Sequence, residues 1–253
     1  MTLTGLQIFL LVAAGLGAGI VNGAAGGGTL VSFPALLVVG YPAIVANVTS
    51  TVGIWSGYLG GTAGFRVEVL AQRATLRALA FTVVAGAAAG GVLLLTTPSH
   101  YFSALAPYLL LFSCGLFAVQ PAVTRRLRSR PESSRNSHQV GLHVGTFLAA
   151  VYGAYFGAGL GVVLLAVLSL TIDDSLNRIN GLRSVLALTV NTVAVLIFVI
   201  HAQVAWRAAG LMAVSSLVGG YVGARLARRV PPVVLRTIIL ALGLAAAGRL
   251  LAG

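Results

Sequence analysis

Long apolar stretches fill most of the chain, and short polar or glycine-rich breaks separate them. A helix needs about 20 apolar residues to cross the hydrocarbon core of a bilayer. The pattern predicts ten helical segments, at residues 3–21, 29–39, 43–62, 74–95, 101–122, 139–158, 160–170, 178–200, 207–226 and 232–251. Segments 29–39 and 160–170 have only eleven residues each, which covers about half a membrane at about 1.5 Å per residue. We therefore expect an all-α polytopic membrane protein with two short segments.

Each short segment follows a glycine-rich break. In the first break, from Gly15 to Gly28, seven of fourteen positions are glycine, and the second break runs from Gly153 to Gly161. Glycine costs a helix about 1 kcal/mol relative to alanine, so this density indicates interrupted helices or close backbone contacts. Short, glycine-interrupted segments in matching positions of two halves are typical of the binding site of a secondary transporter.

The two halves align with a single ungapped shift of 133 residues. This shift superimposes Gly26 on Gly159, Gly28 on Gly161 and Asn47 on Asn180. Two glycine pairs and a distant asparagine at one offset, with five segments on each side, predict an internal repeat. The predicted organisation is an N-terminal repeat at 1–122, an arginine-rich linker at 123–138 and a C-terminal repeat at 139–253.

Composition places the chain in a lipid bilayer. It has 253 residues, of which 58% are hydrophobic and 8% are charged, against about 25% charged in an ordinary globular domain. Basic residues outnumber acidic ones by 16 to 4, which could indicate a nucleic-acid partner. The arginines, however, lie at the ends of apolar stretches rather than on one polar face, which is the pattern that orients membrane proteins. The predicted surroundings are therefore lipid, not nucleic acid.

The arginines also test the topology. Five lie in the polar linker, which the positive-inside rule places in the cytoplasm. Two five-segment halves then put fourteen arginines inside and only Arg207 and Arg249 outside, whereas eight spans give ten against six. The favoured topology places both termini outside and gives two inverted-topology repeats, each with a glycine-broken helical hairpin. Whether the short segments span or re-enter stays open. The N-terminus lacks a positive charge before its apolar run, so a cleaved signal peptide is not expected.

Polar residues inside apolar segments are the candidate site, because such groups are costly in a bilayer and need partners. The candidate contacts are Asn22, Asn47, Thr49, Ser50, Thr51, Asn180, Arg183, Ser184 and Asn191. The candidate hairpin glycines are Gly26, Gly27, Gly28, Gly157, Gly159 and Gly161. A guanidinium with amides and hydroxyls suits a small oxyanion, and helix N-termini add positive partial charge. The alternatives are that the hydroxyls join helices and that Arg183 reaches the inner surface.

Other chemistries lack the residues they need. Cys114 is the only cysteine, so the chain forms no internal disulfide or cysteine metal site. No acidic residue falls in the middle of a segment, and Asp173 and Asp174 are expected to cap the next helix or to pair with Arg178. A carboxylate proton relay, a metal site, a cofactor and an enzyme activity are therefore not expected. Ser56 lacks the GxSxG context of a serine hydrolase.

The motif GxGxGxxNGxxGGGTLxxFPALL from Gly15, followed by ANVTSTVG from Ala46, resembles the TauE/SafE family of sulfite and sulfonate exporters. GAYFGAGLG from Gly153 and NGLRS from Asn180 correspond to the second motif of the family, with Leu182 and Arg183 in place of small hydroxyl residues. The resemblance implies export of small sulfur oxyanions or organosulfonates, such as sulfite, sulfoacetate or taurine-like compounds, across a bacterial inner membrane. The alternatives are an uncoupled, channel-like pathway, a carrier for another small anion, and a membrane scaffold. Homo-oligomerisation stays open.

Overall fold

The computed structural model describes residues 3–24, 26–63, 65–128, 139–226 and 232–252. These residues form eleven helices, and the described ranges contain no strand. The helices are α1 (Gly5–Ala24), α2 (Thr29–Val39), α3 (Ala43–Ala63), α4 (Arg66–Ala71), α5 (Arg73–Thr96), α6 (Ser99–Arg128), α7 (Gln139–Tyr155), α8 (Leu160–Thr171), α9 (Leu176–His201), α10 (Trp206–Leu226) and α11 (Pro232–Ala252).

Each of the ten predicted segments corresponds to one helix, which confirms the all-helical expectation. The short helix α4 is additional, because it forms inside a stretch that the sequence assigned to an inner loop. Helix α6 continues to Arg128, so it includes the first part of the predicted linker 123–138. The rest of that linker, and Arg228 and Arg229, lie outside the described residues.

Four helical stretches in the described part of the chain are long and apolar enough to cross a membrane. They are Gly5–Gly23, Arg73–Thr96, Ser99–Ala122 and Asn177–His201. Helices α2 and α8 are apolar but have only eleven and twelve residues. Large apolar side chains such as Phe81 and Ile200 are more than two-thirds exposed, at 83% and 72%. Contact between apolar side chains and lipid has little free-energy cost, whereas contact between them and water is unfavourable.

Glycine ends the short helix α2 and begins the short helix α8. Gly40 follows α2 with a φ of 102°, and its N–H returns to the carbonyls of Leu36 and Leu37. Gly159 precedes α8 with a φ of 79°. Residues with a side chain rarely adopt this left-handed conformation, so glycine at these positions sets where each short helix stops or starts.

The helices pack mainly across the two halves of the chain. Helix α1 packs most extensively against α10, and α7 packs in the same way against α5. Helix α3 packs against α10 while α9 packs against α5, and α3 and α9 contact each other. Each short helix also contacts a helix of the other half, because α2 contacts α11 and α8 contacts α6. Each half is therefore completed by helices of the other.

Glycines bring these exchanged helices into backbone contact. A methyl group on Gly86 of α5 would lie 2.7 Å from the carbonyl oxygen of Phe147 in α7. A methyl group on Gly219 of α10 would meet the carbonyl oxygen of Leu16 in α1. Helices in lipid associate through such close packing of small residues. Gly86 and Gly219 are also 133 residues apart, which is the offset of the predicted repeat.

Candidate functional site

The two glycine-rich breaks meet each other directly. The N–H of Gly161 donates a hydrogen bond to the carbonyl oxygen of Gly26 over 3.1 Å. A methyl group on Gly26 would lie 2.8 Å from the Cα of Gly161. Gly26, Gly157 and Gly159 all adopt left-handed backbone, with φ of 75°, 79° and 79°. The breaks therefore need glycine both for their backbone conformation and for their contact.

A small cavity lies beside this contact. Its volume is about 10 Å³, which is room for about one water molecule. Residues of α1, the first break, α3, α8 and α9 line it, among them Asn22, Gly26, Tyr58, Gly161, Arg183 and Ser184. Both halves of the chain thus contribute to one cavity at the point where the interrupted helices meet.

Asn22 holds the first break and also faces the cavity. Its Oδ1 accepts a hydrogen bond of 2.7 Å from the N–H of Gly28, the residue that precedes α2. This bond assigns the amide orientation, because Oδ1 must be the acceptor. The other atom, Nδ2, is buried and has no hydrogen-bond partner in the described part of the chain. One donor is therefore left without an acceptor at the cavity.

Tyr58 supplies a second such group. Its side chain is 4% exposed, and its hydroxyl has no hydrogen-bond partner among the residues that the structure describes. Asn191 and Arg183 lie close to it. The Nδ2 of Asn191 donates to the carbonyl oxygen of Ala187 over 2.9 Å, which leaves the Oδ1 of Asn191 as the acceptor nearest in kind to this hydroxyl. A buried polar group without a partner costs about 1–3 kcal/mol, so its presence calls for a function.

Arg183 brings a buried positive charge to the cavity. It lies on α9, is 4% exposed and contributes to the lining. Burying a guanidinium in a membrane protein is costly, and such residues are kept at solute pathways. Arg178, one turn earlier, has a half-exposed side chain and pairs with Asp174 over 3.5 Å. The predicted pairing of Asp174 is therefore confirmed.

The polar residues early in α3 mainly join helices. The Nδ2 of Asn47 donates to the carbonyl oxygen of Tyr155 over 2.9 Å, and the Oγ1 of Thr49 accepts from the N–H of Ala205 over 3.0 Å. Neither residue lines the cavity. They connect α3 to the end of α7 and to the start of α10.

The two hydroxyls that follow them in the chain also have protein partners. Ser50 lies 2.5 Å from the Oγ of Ser32 in α2. Thr51 donates to the carbonyl oxygen of Asn47, one turn before it, over 3.0 Å. Ser and Thr in membrane helices commonly make such bonds.

Some candidates of the second half line the cavity and others do not. Ser184 lines the cavity, and its carbonyl oxygen accepts a bond of 3.4 Å from Thr62 of α3. Asn180 is half-buried and does not line the cavity. Asn191 is not among the residues that line the cavity, but its side chain lies beside Tyr58.

Side chains outside the predicted set hold the second break. The carbonyl oxygen of Ala158 accepts hydrogen bonds from the hydroxyls of Tyr152, over 2.5 Å, and Ser113, over 3.0 Å. In the first break, Gly27 packs against the ring of Phe117. Both breaks are thus braced by α6, to which Ser113 and Phe117 belong.

Four residues that line the cavity are not among the predicted candidates, namely Tyr58, Gly61, Thr62 and Ala187, and the polar ones are Tyr58 and Thr62. A signal for Tyr58 exists in the spacing, because it lies eleven residues after Asn47 and seven after Thr51. Residues separated by four, seven and eleven positions share one helix face. The face that carries buried polar groups near the start of α3 therefore continues to Tyr58.

The comparisons with known proteins agree with a membrane transporter. The family model described as "Sulfite exporter TauE/SafE" matches residues 11–250, which confirms the resemblance of the motifs. A "Probable membrane transporter protein" of Haemophilus influenzae is 25% identical over 218 residues, which cover 86% of this chain and 84% of that protein. A "Probable membrane transporter protein ORF9" of Sinorhizobium sp is 25% identical over 247 residues, or 98% and 93% of the two chains. No solved structure matches the chain.

Proposed function

We propose that this chain, which belongs to the TauE/SafE sulfite exporter family of membrane transporters, exports small sulfur oxyanions or organosulfonates such as sulfite or sulfoacetate. The membrane would be the plasma membrane of a bacterium, since both relatives are bacterial. The protein binds and releases the solute without changing it chemically.

The observation that carries this proposal is the chemistry of the cavity. Asn22 Nδ2 is a donor without an acceptor in the described residues, and the Tyr58 hydroxyl likewise lacks a partner there. Arg183 adds a guanidinium to the same lining. An anion that leaves water needs donors to replace its hydration, and hydrogen bonds to a charged group are about twice as strong as neutral ones. A sulfur oxyanion offers several oxygens to such donors.

The packing supports an inverted repeat. Three helix pairs have counterparts in the packing. The pair α1 and α10 corresponds to α7 and α5, the pair α3 and α10 to α9 and α5, and the pair α2 and α11 to α8 and α6. If each helix is replaced by its counterpart at the 133-residue offset, every pair in the first set becomes a pair in the second set. Together with the arginine distribution, this favours two inverted repeats, at 1–122 and 139–253, with both termini outside.

This arrangement supports a mechanism of alternating access. The cavity lies where the two broken hairpins meet, and its volume of about 10 Å³ is too small for an anion with three oxygens. The hairpins must therefore separate to admit a solute. Separation towards one side and then the other would expose the same donors in turn.

An uncoupled, channel-like pathway is the second candidate. Among the described residues, those that line the cavity include no carboxylate and no imidazole, which are the usual groups of a proton relay. Uncoupled movement of the anion down its gradient therefore needs no further residue. Sulfite flux that is independent of an imposed pH gradient would favour this candidate over proton-coupled export.

The experiment is uptake of labelled sulfite into proteoliposomes that contain the purified protein. Arg183→Gln should lower the flux about tenfold or more, because a hydrogen bond to a charged group contributes about 1.5–3 kcal/mol. Arg178→Gln is the matched control, since its half-exposed side chain pairs with Asp174 away from the cavity. Native flux in Arg183→Gln, or no flux of any sulfur oxyanion in the native protein, would refute the proposed function.

A further inference from the structure

We propose that the N–H of Gly161 is a concealed binding group for the oxyanion, and that the solute gains access to it by displacing the carbonyl oxygen of Gly26. The contact between the two breaks would then be a latch that the bound anion itself opens. This inference rests on the proposed function. It adds a backbone donor to the site and couples solute binding to the opening of the contact between the breaks.

The first step is the position of Gly161 in its helix. It is the second residue of α8, and the first N–H groups of a helix have no acceptor inside the helix. The neighbouring amides find acceptors within the same break, because Leu160 donates to Gly157 and Val162 donates to Gly159. Gly161 alone among these first amides donates to the other half of the chain, at Gly26. Its bond is therefore the one that a movement between the halves would break.

The second step is what surrounds this amide. Gly161 and Gly26 line the same cavity as Asn22 and Tyr58. The side chains of Asn22 and Tyr58 are 6% and 4% exposed, and each carries a polar atom without a partner in the described ranges. Two unpartnered polar groups thus lie beside a helix N-terminus, where positive partial charge favours an anion. A solute bound in this cavity would therefore meet residues Asn22 and Gly161 in the same lining.

The third step is the exchange of acceptors. A neutral carbonyl oxygen now occupies the Gly161 N–H over 3.1 Å. An anionic oxygen would make a charge-assisted bond in its place, which is stronger. The carbonyl of Gly26 would be released towards the water that enters as the breaks part, so no backbone group is left without a partner.

The fourth step is space. The cavity of about 10 Å³ cannot hold the solute while the Cα of Gly161 and the backbone of Gly26 are in contact. The movement that uncovers the amide is the same movement that enlarges the cavity. Solute binding and separation of the two breaks are consequently linked. The solute stabilises the state in which the breaks are apart, because it binds that state more tightly than the closed one.

The test observes the Gly161 amide directly by NMR of the full chain in nanodiscs. Carbonyl-¹³C leucine with ¹⁵N glycine selects amides in Leu–Gly pairs, of which the chain has four, at Gly17, Gly60, Gly161 and Gly243. The probe is sodium sulfite, with sodium chloride as the salt control. We expect the Gly161 signal to shift with sulfite and those of Gly17 and Gly243, which lie outside the cavity lining, to stay.

Two outcomes would overturn the latch, and they differ in what they say of the function. If labelled sulfite is transported but saturating sulfite leaves the Gly161 signal in place, the latch is wrong and the proposed function stands. If sulfite is neither transported nor able to shift any of the four signals, both fail.

A pair of variants tests the linkage. Gly26→Ala places a methyl group 2.8 Å from the Cα of Gly161 and so pushes the breaks apart. Gly157→Ala has a similar left-handed backbone, but its methyl group meets Gly153 O at 3.2 Å and Thr29 Oγ1 at 3.3 Å instead. Because Gly26→Ala populates the open contact without solute, it should speed exchange of the Gly161 amide with D₂O and tighten the apparent sulfite affinity about threefold or more relative to Gly157→Ala. Equal amide exchange and affinity in the two variants would contradict the linkage.

Discussion

Replacing Tyr58 by phenylalanine should make the empty protein more stable and make sulfite bind more weakly. The substitution removes only the hydroxyl, which is buried and lacks a hydrogen-bond partner in the described residues. An unsatisfied buried polar group costs about 1–3 kcal/mol, so its removal should raise the free energy of unfolding by a similar amount. For a chain of this size, each kcal/mol corresponds to about 2–4 °C in Tm.

The bound state responds in the opposite direction. If the hydroxyl of Tyr58 donates to the oxyanion, its loss removes a bond to a charged group worth about 1.5–3 kcal/mol. That amount is about a 10- to 100-fold weaker Kd for sulfite. A residue whose loss stabilises the protein and weakens its ligand is typical of a functional site.

Thermal unfolding in detergent measures both effects, first without solute and then over a series of sulfite concentrations. Tyr152→Phe is the matched control, because its hydroxyl donates to the carbonyl oxygen of Ala158 over 2.5 Å and lies 2.8 Å from Ser113 Oγ. The same substitution should therefore lower Tm there. If Tyr58→Phe also lowers Tm and leaves the sulfite Kd as in the native protein, the hydroxyl is structural and the reasoning is wrong.

Two further predictions concern the first break and the helix packing. Asn22→Asp keeps an oxygen that can accept from the N–H of Gly28 but replaces the donor Nδ2 by a negatively charged oxygen, so sulfite flux should fall more than about tenfold while the protein still purifies as a folded species. Native flux in this variant would exclude Nδ2 as a contact. Gly19→Ala should lower Tm by several degrees, because its methyl group would meet the carbonyl oxygen of Ser216, whereas Gly210→Ala has open space and should leave Tm unchanged or raise it slightly. An equal Tm in the two glycine variants would show that α1 and α10 can move apart freely.

Much of the fold is visible in the sequence because it depends on local properties. A continuous run of about 20 apolar residues predicts a helix in lipid, since a helix satisfies its backbone hydrogen bonds within the segment itself. A dense set of glycines predicts an interruption, as Gly26 and Gly159 demonstrate with their left-handed backbone. Helix α4 was missed because its six residues are too short and polar for the apolar pattern to reveal.

The site was only partly predictable, and Asn47 and Tyr58 explain why. Asn47 was predicted as a solute contact because an amide inside an apolar segment needs a partner. In the structure its Nδ2 donates to the carbonyl oxygen of Tyr155, its Oδ1 has no partner among the described residues, and it does not line the cavity. Tyr58 looked like an ordinary apolar position, because a tyrosine in a membrane helix is usually core or interface. Asn22 was predicted from its glycine neighbours and Arg183 from its charge inside an apolar segment, both without reference to packing, and both line the cavity.

The sequence by itself thus determined the helices, the two breaks and the presence of costly polar groups within lipid. Only the tertiary structure decided which of those groups pair with each other and which are left facing a cavity. The physical reason is that each hydrogen bond occupies one donor and one acceptor position, and packing decides which positions are occupied. Thr49 accepts a hydrogen bond from the N–H of Ala205, and the hydroxyl of Ser50 bonds to that of Ser32. In contrast, Nδ2 of Asn22 has no acceptor in the described part of the chain. The function of a polar residue here depends on what its neighbours leave unpaired.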